Sequence, residues 1–218
     1  MLIYEQILKR VTDKLSKART DACLGKAAEQ AAEAADMLIG RERDKTSFEF
    51  IACRVGCAHC CVVYITVLLP EAVNIARYLR EQGEAERLIP LLVERVRETM
   101  WTEEQDWSLL GKKCIFLDKS GGCSVYPVRP LLCRAVTSVS AEDCHEALTA
   151  RIMGEEKPIL MNLAVKKNYE QAFRAMAGAM EKCGMDSAGL ELTRAVLCAL
   201  RHDDIAERLG KGEKIRPC

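Results

Sequence analysis

The chain has 218 residues, enough for one medium domain whose hydrophobic core needs no disulfide staples. Its 32 lysines and arginines balance 32 aspartates and glutamates, so bulk charge does not point to nucleic acid or an anionic membrane surface as partner. What stands out instead is twelve cysteines.

The first forty residues read as helix, because Tyr4, Leu8, Val11, Leu15, Ala18 and Ala22 recur at three-to-four spacing and an alanine-rich run continues from Ala27 to Leu38. Charges mixed into the N-terminus from Glu5 onward leave no continuous apolar leader, so the expected location is the cytoplasm. Gly40 and "RERDK" should end this helix and lead into "CRVGCAHCC" at 53–61. "CCVVYITVLLP" is about half the length needed to cross a bilayer and ends at Pro70, so no membrane span is expected.

Within it "VVYITVLL" suits a short buried strand, and Pro70 with Glu71 opens a helix that should stop at Gly83. Further helices are expected around "LIPLLVERVRETM" and after Thr102, where "TEEQ" fits a capping box. "CIFLDKSGGCSVY" places two short apolar runs around a Gly-Gly turn, the pattern of a β-hairpin with Cys114 and Cys123 opening its arms. Two prolines restrict "PVRPLLCR" before Cys133, and Ser140 should cap a helix carrying Cys144 in its first turns. Val165, Tyr169, Phe173, Met176 and Met180 form a helical stripe ending near Gly184. Another helix is expected in "SAGLELTRAVLCALRHDD", and a short one from about Asp203 to Leu209.

Eight cysteines fall between Cys53 and Cys144 in closely spaced groups, whereas Cys23, Cys183, Cys198 and Cys218 are isolated. In a reducing compartment such grouping favours metal or redox chemistry over a disulfide framework. Crowded thiolates repel one another until a cation neutralises them, and both zinc and iron–sulfur clusters do so with four thiolates. The candidate ligands are Cys53, Cys57, Cys60, Cys61, Cys114, Cys123, Cys133 and Cys144. Eight exceed one four-thiolate site, which leaves two sites or one cluster with additional thiols. Cys60 and Cys61 are adjacent and point in diverging directions, so one can serve a second site or a larger cluster. Cys57 and Cys60 form one C-x-x-C pair with no second such knuckle, unlike ordinary zinc ribbons.

Arg129 and Arg134 flank Cys133 and can offset the charge of a tetrathiolate site, bind an anionic substrate or pair with local carboxylates. Tyr126 suits packing or a hydrogen bond to sulfur. His59 and His145 each adjoin a candidate cysteine, as ligands or as outlying histidines. Glu71 has a sufficient explanation as a helix N-terminal acid, and Cys183 and Cys198 as core.

"CRVGCAHCC", "EAVNIARYL" and "CIFLDKSGGCSVYPVRPLLCR" occur here in the order found in the YkgJ-like cysteine-cluster proteins, a zinc- or iron-chelating domain of CxxCxxCC type, which residues 53–134 resemble. "TSVSAEDC" is similar to a longer subgroup with one more cysteine. Three residues separate Cys53 from Cys57 where the family pattern has two. The resemblance implies metal binding. A relative, the flagellin lysine N-methylase, implies cluster-dependent methyl transfer as a further possibility, although no glycine-rich SAM-binding loop follows a strand here. The C-x3-C-x2-C spacing also occurs in radical-SAM enzymes, whose long β/α barrel this chain is too short to form.

The expectation is thus a mainly α protein, a helical domain around an irregular cysteine-rich metal-binding module with a small β-hairpin. It divides into an N-terminal helical segment (1–45), the cysteine module (46–150) and a C-terminal helical segment (151–218), packed as one domain. A [4Fe–4S] cluster serving electron transfer or an accessory redox step is the first reading, with a protein redox or substrate partner. Zn2+ in a structural, partner-binding protein is the second, and an N-methylase-like enzyme the third.

Overall fold

The structure is a computed structural model that describes residues 3–43, 51–54 and 56–215. Cys218 and the stretch 44–50 leading into the cysteine loop lie outside the described residues.

The expected N-terminal helix is two helices. Ile7, Leu8, Val11 and Leu15 bury one face of α1 (Ile3–Leu15), and Leu24, Ala27, Ala28, Ala31 and Ala35 bury one face of α2 (Asp21–Arg43). Between them the Thr20 hydroxyl accepts the Cys23 N–H, an N-cap that restarts the helix where the apolar spacing alone predicted continuity. Alanine propensity then carries α2 through Gly40 to Arg43.

Pro70 lies in the first turn of α3 (Leu69–Glu81), and Gly83 follows its end at a φ of +70°. α4 (Ala85–Thr99) starts three residues before the run that predicted it, with Pro90 inside. Thr102 caps nothing. The following segment is a 3-10 helix, Glu104–Leu110, with Glu103 at its N-cap and no side-chain cap bond, a correction to the expected capping box. Trp107 is buried there and meets Tyr64 edge-on at 5.2 Å between ring centroids, which holds the turn tight against the chain leaving the cysteine loop.

"VVYITVLL" contributes β1 (Thr66–Val67), which pairs antiparallel with β2 (Leu190–Glu191), Thr66 opposite Glu191 and Val67 opposite Leu190. The two-stranded sheet therefore joins distant parts of the chain. The predicted hairpin at 114–126 is present as a single antiparallel bridge, Leu117 to Cys123. Its turn is tight because one Asp118 carboxylate oxygen accepts the N–H groups of Ser120 and Gly122, both at 2.8 Å.

α5 (Leu131–Ala135) and α6 (Ala141–Ile152) complete the cysteine-rich region, and α7 (Leu163–Lys182), α8 (Leu192–Arg201) and α9 (Ile205–Gly210) follow. Of the α7 stripe, Val165, Tyr169, Met176 and Met180 are buried and Phe173 is half-buried. α1 lies along α7, α2 packs between α3 and α7, and α8 packs on α3 and α4, so both ends of the chain share one apolar core. Polar bonds pin the junctions: Asp21 accepts the Ala206 N–H at 2.6 Å, and Arg80 donates to the carbonyls of Ala199 and Leu200. Cys198 is buried, and the half-buried Cys183 thiol reaches the Thr12 carbonyl at 3.9 Å. Both cysteines are packing residues. Among the described residues no helix is long and apolar enough to cross a membrane.

Candidate metal centre

Three short cysteine-bearing segments, with side chains of the helical core, wall a cavity of about 490 Å³. The 53–61 loop supplies Cys53, Cys57, Cys60 and Cys61; the bridged turn supplies Cys114 and Cys123; α5 supplies Cys133; and Tyr126, Arg129 and Arg134 stand among them. Cys144 is carried by α6 and does not line the cavity.

Backbone bonds fix these segments to one another. Cys114 N–H donates to the Cys61 carbonyl at 2.6 Å, and Ala52 N–H donates to the Ser138 carbonyl at 2.8 Å. Gly121, at a φ of +81°, turns the bridged segment toward the loop so closely that an added Cβ would lie 3.4 Å from the Gly56 carbonyl oxygen.

Glu71 does more than open α3. One carboxylate oxygen accepts the Leu68 N–H at 2.9 Å and the other accepts the Leu131 N–H at 2.7 Å, so a buried acid ties α3 to the start of the Cys133 helix. The sequence shows only the first bond, a local one. Burial pushes its carboxyl up to about 7 in spite of both N–H donors.

The two arginines differ. Arg134 donates to the carbonyls of Arg129 (2.9 Å) and Pro127 (3.0 Å) and pairs with Asp36 on α2 at 3.3 Å; Asp36 also accepts the Tyr169 hydroxyl at 2.6 Å. It is a clamp between α2, α5 and α7. Arg129 lies 4.2 Å over the Tyr126 ring, forms no ion pair among the described residues, and buries an Nε without a hydrogen-bond partner. Tyr126 thus acts as the face on which that guanidinium rests.

Several of the thiols are held toward their protonated form. Burial pushes Cys53, Cys114, Cys123 and Cys133 up, Cys114 to about 11, and the Cys60 thiol is raised first by its hydrogen bond to Cys61 and then by burial. Arg129 opposes the rise at Cys60, Cys123 and Cys133. A bound cation would reverse the balance, since thiolate is then the favoured form. Among the described residues no three His, Cys, Asp or Glu side chains converge closely enough to hold a single ion. Donor chemistry therefore fits a thiolate-ligated group, arrayed around a space and not around a point.

Residues 52–151 match the family model "CxxCxxCC: Putative zinc- or iron-chelating domain". This segment, just under half of the chain, is similar to the CxxCxxCC domain. It contains all eight clustered cysteines, the cavity-lining turn, α5 and most of α6. No curated protein and no solved structure matches the chain. In the CxxCxxCC domain His59 and His145 meet edge-on, ring centroids 5.6 Å apart, a contact invisible in sequence because each histidine there adjoins only its own cysteine.

Proposed function

We propose that the CxxCxxCC domain carries an iron–sulfur cluster, [4Fe–4S] in form, and that the protein serves electron transfer or an accessory redox step in the cytoplasm. One observation carries this reading: seven thiols surround a cavity of about 490 Å³ and do not converge on a point. A zinc ion held by sulfurs at about 2.3 Å collapses its ligands onto itself and leaves no such space. An iron–sulfur cube sets its four cysteines farther apart and supplies one-electron chemistry when bound. The Arg129 guanidinium, without a carboxylate partner among the described residues, supports the same reading because the cluster with its thiolates is an anion.

The helical core holds the cavity walls and keeps part of the site dry. Arg134 and Glu71 fix α5 and so the position of Cys133. A protein redox partner would take or give the electron across the more exposed loop that bears Cys53.

The test is a UV–visible spectrum with iron, zinc and acid-labile sulfide analysis on protein purified without oxygen. Broad absorbance near ~400 nm with iron and sulfide in equal amounts is the expected result. Colourless protein with zinc and no sulfide overturns the reading in favour of a structural zinc domain that binds a partner.

A further inference from the structure

We propose that the cavity takes a small organic monoanion, a carboxylate on an apolar body, held by the Arg129 guanidinium and the Thr137 hydroxyl. This goes beyond the redox reading and does not depend on which metal the thiols hold.

The cavity has the size and the walls of a ligand pocket. At about 490 Å³ it falls within the range of small-molecule sites, which are mostly apolar with a few placed polar groups. Ile65, Phe116, Val136, Val165 and Leu192 supply apolar wall.

Most charged groups in the wall are already engaged. The Asp118 carboxylate accepts the N–H groups of Ser120 and Gly122, and Glu191 accepts those of Thr193 and Arg194. Arg95 and Lys112 both reach Glu98, and Arg134 reaches Asp36. Arg129 is different: it forms no ion pair among the described residues, and its buried Nε has no hydrogen-bond partner. Thr137 likewise buries a hydroxyl without a partner. Asp21, Arg77 and Arg194 each bury one such atom too, but they bond through other atoms and lie outside this wall. Two unspent polar groups therefore belong to one cavity.

Both are held by fixed backbone at the ends of α5, Arg129 before it and Thr137 after it. Arg134 grips the carbonyls of Arg129 and Pro127, and the Tyr126 ring, 4.2 Å from the guanidinium carbon, sets the plane of the Arg129 fork. The Ser138 carbonyl, one residue after Thr137, accepts the Ala52 N–H at 2.8 Å. Pairing the two groups with a ligand costs no existing hydrogen bond, since neither buried atom has one to give up. A guanidinium fork matches the two oxygens of a carboxylate. One unpaired cation balances one negative charge, which selects a carboxylate over a doubly charged phosphate. The charge of Arg129 also reaches Cys60, Cys123 and Cys133 through space, an effect that uses none of its N–H donors.

The experiment titrates the full-length protein, purified without oxygen, with benzoate, benzamide and inorganic phosphate in a calorimeter. Benzoate should bind, whereas benzamide, which lacks the charge, and phosphate, which lacks the apolar body, should bind about tenfold more weakly or less. Arg129→Gln should weaken benzoate by about tenfold and Thr137→Val by about fivefold, with metal content unchanged. Lys119→Gln, at an exposed residue outside the wall, should bind as wild type does. Absence of benzoate binding at millimolar concentration overturns the proposal, as does equal binding of benzamide or phosphate, or an affinity that Arg129→Gln leaves unchanged. Should that variant unfold, amide exchange of the wild-type protein decides: benzoate must slow exchange selectively in residues 123–138, and protection confined to other segments overturns the site. Metal and sulfide analysis of the same samples tests the redox reading separately, so a zinc protein that binds benzoate upholds this inference and removes that one.

Discussion

Arg129 and Arg134 are five positions apart and look equivalent in sequence, yet among the described residues Arg134 alone of the two pairs with a carboxylate. Arg134→Ala should leave metal content largely intact while destabilising the fold by about 2–4 kcal/mol, since two carbonyl hydrogen bonds and the link to Asp36 are lost together. Arg129→Ala should leave the stability of the fold largely unchanged. On the proposed iron–sulfur reading, removing a positive charge beside an anionic centre favours the oxidised form, so the midpoint potential should fall by on the order of 50–100 mV, read by redox titration. An unchanged potential would remove Arg129 from the centre's surroundings. Glu71 adds a pH dependence. Its folded carboxyl titrates at about 7 against an ordinary 4.5, so its stabilising proton is fully held below 4.5 and is lost as pH rises through 7. Buried Glu191 and half-buried Asp21 are raised in the same direction, each first by desolvation. Denaturant melts of the metal-free chain should therefore show stability falling across that window, with a shallower slope in Glu71→Gln. A slope unchanged by the substitution would contradict this assignment.

At the scale of elements, legibility followed the length of the pattern. α3 announces itself through Pro70 and Glu71 at its start and Gly83 at its end, α7 through an apolar stripe closed by Gly184, and the Ser140 cap of α6 was readable because one side chain sufficed. β1 and β2 were not: two residues each carry no period, and their pairing depends on where α3 and α8 bring them. Likewise the second bond of Glu71 and the meeting of His59 with His145 join segments that only the tertiary fold makes neighbours. The α2–α3 crossing has its own requirement. An added Cβ at Gly25 would stand 3.3 Å from the Asn74 Cα, so Gly25→Val should force the helices apart and cost about 1–3 kcal/mol in chemical denaturation. A neutral result would mean that the helices separate freely there.

For the whole molecule, the apolar core and the cysteine-rich walls are separable in their sources of stability. α1, α2, α3, α7 and α8 carry most of a continuous hydrophobic cluster that also takes in Phe116, Val125 and Leu131, whereas the rest of the walls are loops and short turns whose ordering is expected to draw on the metal. Metal removal should keep most of the far-UV helical signal and speed amide exchange selectively in residues 51–62 and 112–140. Uniform loss of protection would mean that the core and the site unfold together. The sequence made the division of labour visible through cysteine grouping, and it concealed the cavity because its walls come from many separated segments.

The packing of α1 along α7 sets a timetable for synthesis. The chain is made in order from its N-terminus, so all eight clustered thiols leave the ribosome before α7 exists to cover α1 and back α5. During that interval the thiols stand on an unfinished scaffold, open to metal donors and to oxidants alike. Delivery of the metal while translation proceeds would meet thiols on an unfinished scaffold, and delivery after release would meet them already backed by the core.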